Sequence, residues 1–298
     1  MNDEPDKPTV NERDVTIAAP KNWDLAATVF SHPAPQQEAP VVMISAAAGV
    51  PRWYYANFAR YLVEQGAAAV LTYDYRGMCD SSGERSRWKE LRMFHWAQYD
   101  FPACTNWLLE EYPNNPLVGM GHSYGGQALG LSGASQFFER YATVATMSGY
   151  WRDLDTPYQV WFLTQVMGRI ASRTLGYVPK IISPGEPYPG KIMLDWADWI
   201  AQDDYWFSRK DVPGLENFEK VTLPYLSIRV TDDPWGNEKA IGEFMKHYTN
   251  ADLRHALAVP GESGKIGHLG FFSRRHKESH WDLAADFLLD GQFPNTEI

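Results

Sequence analysis

Five residues in mid-chain, Gly121-His122-Ser123-Tyr124-Gly125, form the pattern G-x-S-x-G. An apolar run, Pro116 to Met120, precedes them, and a helix-like segment from Tyr124 to about Glu139 follows. A strand that turns sharply into a helix needs residues almost without side chains two positions before and after the turn residue. Such a turn lifts a serine hydroxyl above the sheet at the positive end of a helix, where developing negative charge is favoured. A serine hydroxyl is a weak nucleophile at neutral pH. Ser123 therefore needs a base, and the base needs an acid to fix its tautomer. In this kind of strand–turn–helix site the acid and then the histidine follow the serine along the chain.

His268 is the histidine that fits. His32 and His95 precede the serine, His247 falls on a helix, and His255 opens a strand. His268 stands in Gly267-His268-Leu269-Gly270-Phe271-Phe272, a glycine-flanked loop after the last strand. His276 and His280 are spaced i,i+4 on the final helix; without a third ligand they read as a solvated face, and no metal is expected. The acid belongs after the strand Tyr225–Val230, in Thr231-Asp232-Asp233-Pro234-Trp235. Asp233 is the choice, with Asp232 as the alternative.

The elements that must position these groups are legible as an alternation. Short strands are expected at 15–18 and 25–30, joined by a turn at Pro20-Lys21-Asn22. Further strands are expected at 41–44, 67–73, 116–120, 142–147, 225–230 and 256–259. Helices are expected at 51–64, 94–111, 124–139, 238–248 and 277–289. Strands alternating with helices imply a mostly parallel, doubly wound α/β sheet, because parallel strands need crossover helices. Between Met147 and Tyr225 the rhythm breaks: no good strand appears, and helix-like pieces fall at about 156–173 and 190–207. This segment reads as a helical cap, 151–215, inserted after the sixth strand. The core is then 13–150 plus 216–298, and residues 1–12 are a loose tail. Trp161, Trp196, Trp199 and Trp206 of the cap, with His122 beside the nucleophile, are the expected pocket-lining residues.

Composition narrows the classes. Hydrophobic residues make up 44% of the 298 and charged residues 21%, which excludes a disordered chain. The net charge of −10 argues against nucleic acid and against anionic membrane surfaces, both of which need a basic footprint. Two cysteines, Cys79 and Cys104, are too few for a disulfide scaffold or a thiolate zinc site and read as structural. The acidic start lacks a signal-peptide pattern and no stretch is long enough to span a membrane, so a cytoplasmic location is expected. Gly119-Met120-Gly121 and Gly261-Glu262-Ser263-Gly264-Lys265 are incomplete as nucleotide-binding loops.

Taken together, the elbow at Ser123, Asp233 and His268 in that order resemble the α/β-hydrolase superfamily over residues 13 to 290. Tyr73-Asp74-Tyr75-Arg76-Gly77-Met78-Cys79-Asp80-Ser81 is similar to that superfamily's D-x-R-G-x-G-x-S loop after the fourth strand. The chain looks like bacterial predicted serine hydrolases near the serine aminopeptidase and monoglyceride lipase branch. The resemblance implies an eight-stranded sheet and a Ser123–His268–Asp233 triad without cofactors. The usual His-Gly after the third strand is replaced by Ser45-Ala46-Ala47-Ala48-Gly49. The hole for the oxyanion uses backbone N–H groups, here expected from Ala47 and Tyr124. The implied activity is hydrolysis of a carboxylic ester or lactone of a bulky hydrophobic small molecule. Acyl transfer, thioester hydrolysis and a non-catalytic binding relative are the alternatives. A monomer or a homodimer both fit.

Overall fold

The computed structural model describes residues 9–34, 37–182 and 185–294. Strands β1 (Asn11–Ala19) and β2 (Trp23–Ser31) pair antiparallel. Lys21 and Asn22 between them both have positive φ, 68° and 52°, the hand that matches strand twist in a tight hairpin. The first strand begins within the stretch expected to be a loose tail. In β2 the apolar side chains of Trp23, Leu25, Ala27 and Val29 are buried in alternation with more exposed neighbours.

The next four strands are buried at every position: β3 (Val41–Ser45), β4 (Ala69–Tyr73), β5 (Leu117–His122) and β6 (Tyr141–Val144). Their unbroken apolar character follows from cover on both faces. Helices α1 (Ala56–Glu64), α2 (Phe101–Glu111) and α3 (Tyr124–Ser132) make the crossovers. A 3-10 turn, Arg52–Tyr55, leads into α1, and a π-helical turn, Trp96–Asp100, leads into α2. The helix expected to reach Glu139 stops at Ser132, because Gly133 takes the left-handed conformation (φ 67°) that ends helices.

After β6 comes the inserted segment. It holds α4 (Pro157–Trp161), a π-helical stretch (Phe162–Gly168), α5 (Arg169–Thr174) and α6 (Gly190–Ile200). A two-residue ladder, β7 (Tyr177–Val178) with β8 (Tyr188–Pro189), corrects the expectation that the segment carries no strand. Strand β9 (Pro224–Val230), helix α7 (Glu238–Met245) and strand β10 (Asp252–Ala258) return to the sheet. Helices α8 (Lys277–His280) and α9 (Asp282–Asp290) close the chain.

The sheet has eight strands in the order β1-β2-β4-β3-β5-β6-β9-β10. Only β2 runs antiparallel to its neighbours; all other pairings are parallel. From β3 the chain steps to β4 on one side and later to β5 on the other. Strand order thus reverses between β3 and β5, and the carboxyl ends of such strands frame a crevice. Trp281 packs on Phe58 of α1, with ring centroids 5.3 Å apart, and the Tyr248 hydroxyl after α7 donates to the Gly126 carbonyl of α3 at 3.0 Å.

His276 and His280 are buried rather than solvated. His276 shares a hydrogen bond with Ser263 Oγ (2.9 Å), and His280 Nε2–H donates to the Val259 carbonyl (2.8 Å). The pair anchors the loop before His268 to the last helices. Among the described residues, no group of three or more His, Cys, Asp or Glu side chains is placed to hold a metal ion. No helix among them is long and apolar enough to cross a membrane.

Candidate active site

Ser123 is the residue at the bend between β5 and α3. Its φ of 51° and ψ of −113° lie outside the regions a residue with a side chain normally takes. The glycines around it leave no room for a Cβ. One on Gly125 would stand 1.9 Å from the Ser45 carbonyl oxygen, and one on Gly121 would stand 2.4 Å from the Gly126 nitrogen. The elbow therefore presses against the end of β3, which brings the Ser45–Gly49 loop beside the serine.

The Ser123 hydroxyl donates to His268 Nε2 at 3.1 Å. On the other side of the ring, His268 Nδ1–H donates to Asp233 Oδ2 at 2.7 Å. A carboxylate only accepts, so the proton on Nδ1 and the free lone pair on Nε2 follow. Asp233 is 2% exposed, and its Oδ1 accepts the Trp235 N–H at 2.9 Å. Burial alone would raise its pKa; His268 and the N–H groups of Trp235 and Gly236 outweigh burial and hold it below the ordinary value. Asp232 points elsewhere: its carboxylate accepts the N–H groups of Ile266 (3.0 Å) and Gly267 (2.8 Å). It pins the loop that delivers His268.

Ser123 and His268 face a cavity of about 350 Å³ between the sheet and the inserted segment. Met93, Met147, Tyr188, Trp196, Tyr205 and Trp235 give it mostly apolar walls. The Trp235 ring lies 5.0 Å from that of His268 and 6.4 Å from that of Trp196. Trp196 is among the pocket-lining residues expected from the sequence; Trp235 is not, although it stands two residues after Asp233.

Other expectations need correction. Trp199 and Trp206 are fully buried and pack on each other at 4.8 Å, with Trp206 also against Phe244 of α7; they are core, not cavity wall. Trp161 faces outward from α4 beside Trp151 and is 41% exposed. His122 is completely buried behind the elbow, where burial and the nearby His268 lower its pKa to about 3. The Ala47 N–H is already donated to the Tyr55 hydroxyl at 2.9 Å, so it is not a free donor. The Tyr124 N–H opens α3, where a helix leaves its donors without intrahelical partners.

Residues 41–278 match a family model described as the alpha/beta hydrolase family. The chain belongs to that family. This alpha/beta hydrolase shares its fold with an esterase of Pyrococcus furiosus at 14% identity and a TM-score of 0.63, over 96% of this chain and 92% of the other. It is also similar to the esterase domain of a Rhodothermus marinus protein, at 17% identity and a TM-score of 0.54, over 93% and 98% of the two chains. A lidless serine hydrolase of Xanthomonas campestris overlaps it at 14% identity and a TM-score of 0.53, over 96% and 97%. No curated protein matches the chain in sequence.

Proposed function

We propose that this alpha/beta hydrolase cleaves carboxylic esters, including cyclic ones, of bulky hydrophobic small molecules through an acyl-enzyme. The observation that carries the reading is the Ser123–His268–Asp233 hydrogen-bonded series, 3.1 and 2.7 Å long, opening on an apolar cavity. Ser123 Oγ attacks the carbonyl carbon while His268 Nε2 takes its proton. The imidazolium returns that proton to the leaving alcohol as the C–O bond breaks. A water molecule then gives its proton to Nε2 and adds to the acyl carbon, and the acid leaves with Ser123 restored. Asp233 stays ionised and steadies the imidazolium.

The oxyanion is held by the Tyr124 N–H and, in place of Ala47, by the N–H of Ala48. Ala48 lines the cavity, and among the described residues its N–H has no other acceptor. Small side chains at 46–48 let a tetrahedral centre approach the backbone, and each such donor stabilises the transition state by ~3 kcal/mol. The rings and thioethers of the wall favour an acyl or alcohol group that is large and apolar.

The test is labelling with a fluorophosphonate beside turnover of a chromogenic short-chain ester. The native protein is expected to do both. Ser123→Ala is expected to lose the label and about 10⁴-fold or more of kcat. A Ser123→Ala variant within tenfold of the native rate removes Ser123 as nucleophile. A native protein that neither labels nor turns over leaves a small-molecule binder on the same fold.

A further inference from the structure

A buried series of hydrogen bonds runs behind the nucleophile. The Ala47 N–H donates to Tyr55 Oη at 2.9 Å, Tyr55 Oη–H donates to His122 Nδ1 at 2.9 Å, and His122 Nε2–H donates to the backbone carbonyl of His268 at 2.8 Å. The direction is fixed by its ends, since an amide N–H only donates and a carbonyl only accepts. Tyr55 and His122 are both fully buried. Burial keeps the His122 imidazole neutral, with its pKa near 3, so the ring can accept at one nitrogen and donate at the other. A second tie lies alongside: the Tyr54 hydroxyl donates to the Leu269 carbonyl. Tyr54 and Tyr55 share the turn Arg52–Tyr55, with rings edge-to-face at 5.3 Å. Only Val50 and Pro51 separate that turn from the Ser45–Gly49 loop. Tyr54 directly, and Tyr55 through His122, thus hold adjacent carbonyls of the loop that carries His268.

We propose that Tyr55 and His122 are positioning residues: they set the spacing between the loop that receives the oxyanion and the loop that delivers the base, with Tyr54 as a parallel tie. The proposal rests on the ester-hydrolysis reading above. The two loops lie more than 200 residues apart in sequence, counted from Tyr54 to Leu269 (215 positions), and beyond Ser45, the last paired residue of β3, sheet pairing does not reach either of them. Misplacement of a reacting group by about 1 Å costs up to ~100-fold in rate. A strut whose four polar partners satisfy one another resists that displacement because breaking it leaves buried groups unpaired.

Tyr55→Phe deletes one oxygen and keeps the ring packed on Phe272, 4.9 Å away. It is expected to lower kcat on a short-chain chromogenic ester about 10- to 100-fold, leave KM within about twofold, and slow fluorophosphonate labelling of Ser123 to match. Tyr54→Phe is expected to show the same pattern at about 3- to 10-fold. Tyr61→Phe loses a bond to Asp282 outside the cavity and is the control for a missing hydroxyl: lower melting temperature, unchanged kcat. In the Tyr55→Phe/His122→Asn pair the losses should fall well short of multiplying, because both cut one strut. Native kcat in Tyr55→Phe overturns the proposal, and so does full multiplication in the pair. Should Tyr55→Phe fail to fold, unchanged kcat in the half-buried Tyr54→Phe overturns it. Failure of the native protein to label or turn over sinks the ester-hydrolysis reading instead.

Discussion

Asp232 and Asp233 are neighbours whose carboxylates serve different partners, one two backbone N–H groups and the other an imidazole. Asp233→Asn keeps the shape but offers Nδ1 the wrong hydrogen-bond partner, so kcat is expected to fall by ~10⁴. Asp232→Asn weakens only the loop anchor, and a loss of about tenfold or less is expected. The reverse order in steady-state rates exchanges their assignments. The sequence reading prefers Asp233 but keeps Asp232 as an alternative, because the direction of a side chain at a strand end depends on where the partner loop lands. The tryptophans show the same limit. An indole is equally at home in a core, as Trp199 and Trp206 are, or on a cavity wall, as Trp196 and Trp235 are. His122 offers a test by nitrogen NMR. Its pKa is lowered to about 3, so its imidazole is expected to remain the neutral Nε2–H tautomer from pH 8 down to pH 5. A ring that titrates near pH 6 contradicts the assigned buried environment.

At the scale of elements, the alternation of apolar runs with helical spacing gave the sheet and its crossovers because each strand buried on both faces must be continuous in sequence. Where elements stop was less legible. Helix α3 is ended by Gly133, yet the apolar spacing runs on past it. The inserted segment was visible as a gap in the strand rhythm, but not what holds it. Asp195 of α6 accepts Arg92 Nε with both oxygens, at 2.8 and 2.9 Å, and the Met93 N–H at 2.8 Å. This fastens α6 to the chain just ahead of α2, beside the cavity. Asp195→Ala leaves the Met93 N–H without its acceptor and is expected to cost about 1–3 kcal/mol of unfolding free energy. It should also speed proteolytic cutting within 150–215 more than elsewhere. Equal protection of that segment in the variant and the native protein would show that other contacts hold it.

For the molecule as a whole, the reversal of strand order between β3 and β5 decides where chemistry can sit, and the inserted segment decides how much room it has. Trp196→Ala opens the wall contributed by α6. Longer-chain esters are then expected to gain about tenfold in kcat/KM relative to short ones, the scale on which a few methylenes are discriminated. An unchanged chain-length profile would place the acyl group elsewhere in the cavity. The left-handed backbone at Ser123 bears on the whole protein too. A strained φ,ψ pair costs about 1–3 kcal/mol, whereas glycine's extra freedom in the unfolded chain costs about 0.5–1 kcal/mol. Ser123→Gly should accordingly melt about 2 °C higher than the native protein while losing its turnover, and a lower melting point would mean the bend is relaxed. Thermal resistance and activity pull this one position in opposite directions, so a library screened only for survival on heating would discard the nucleophile first.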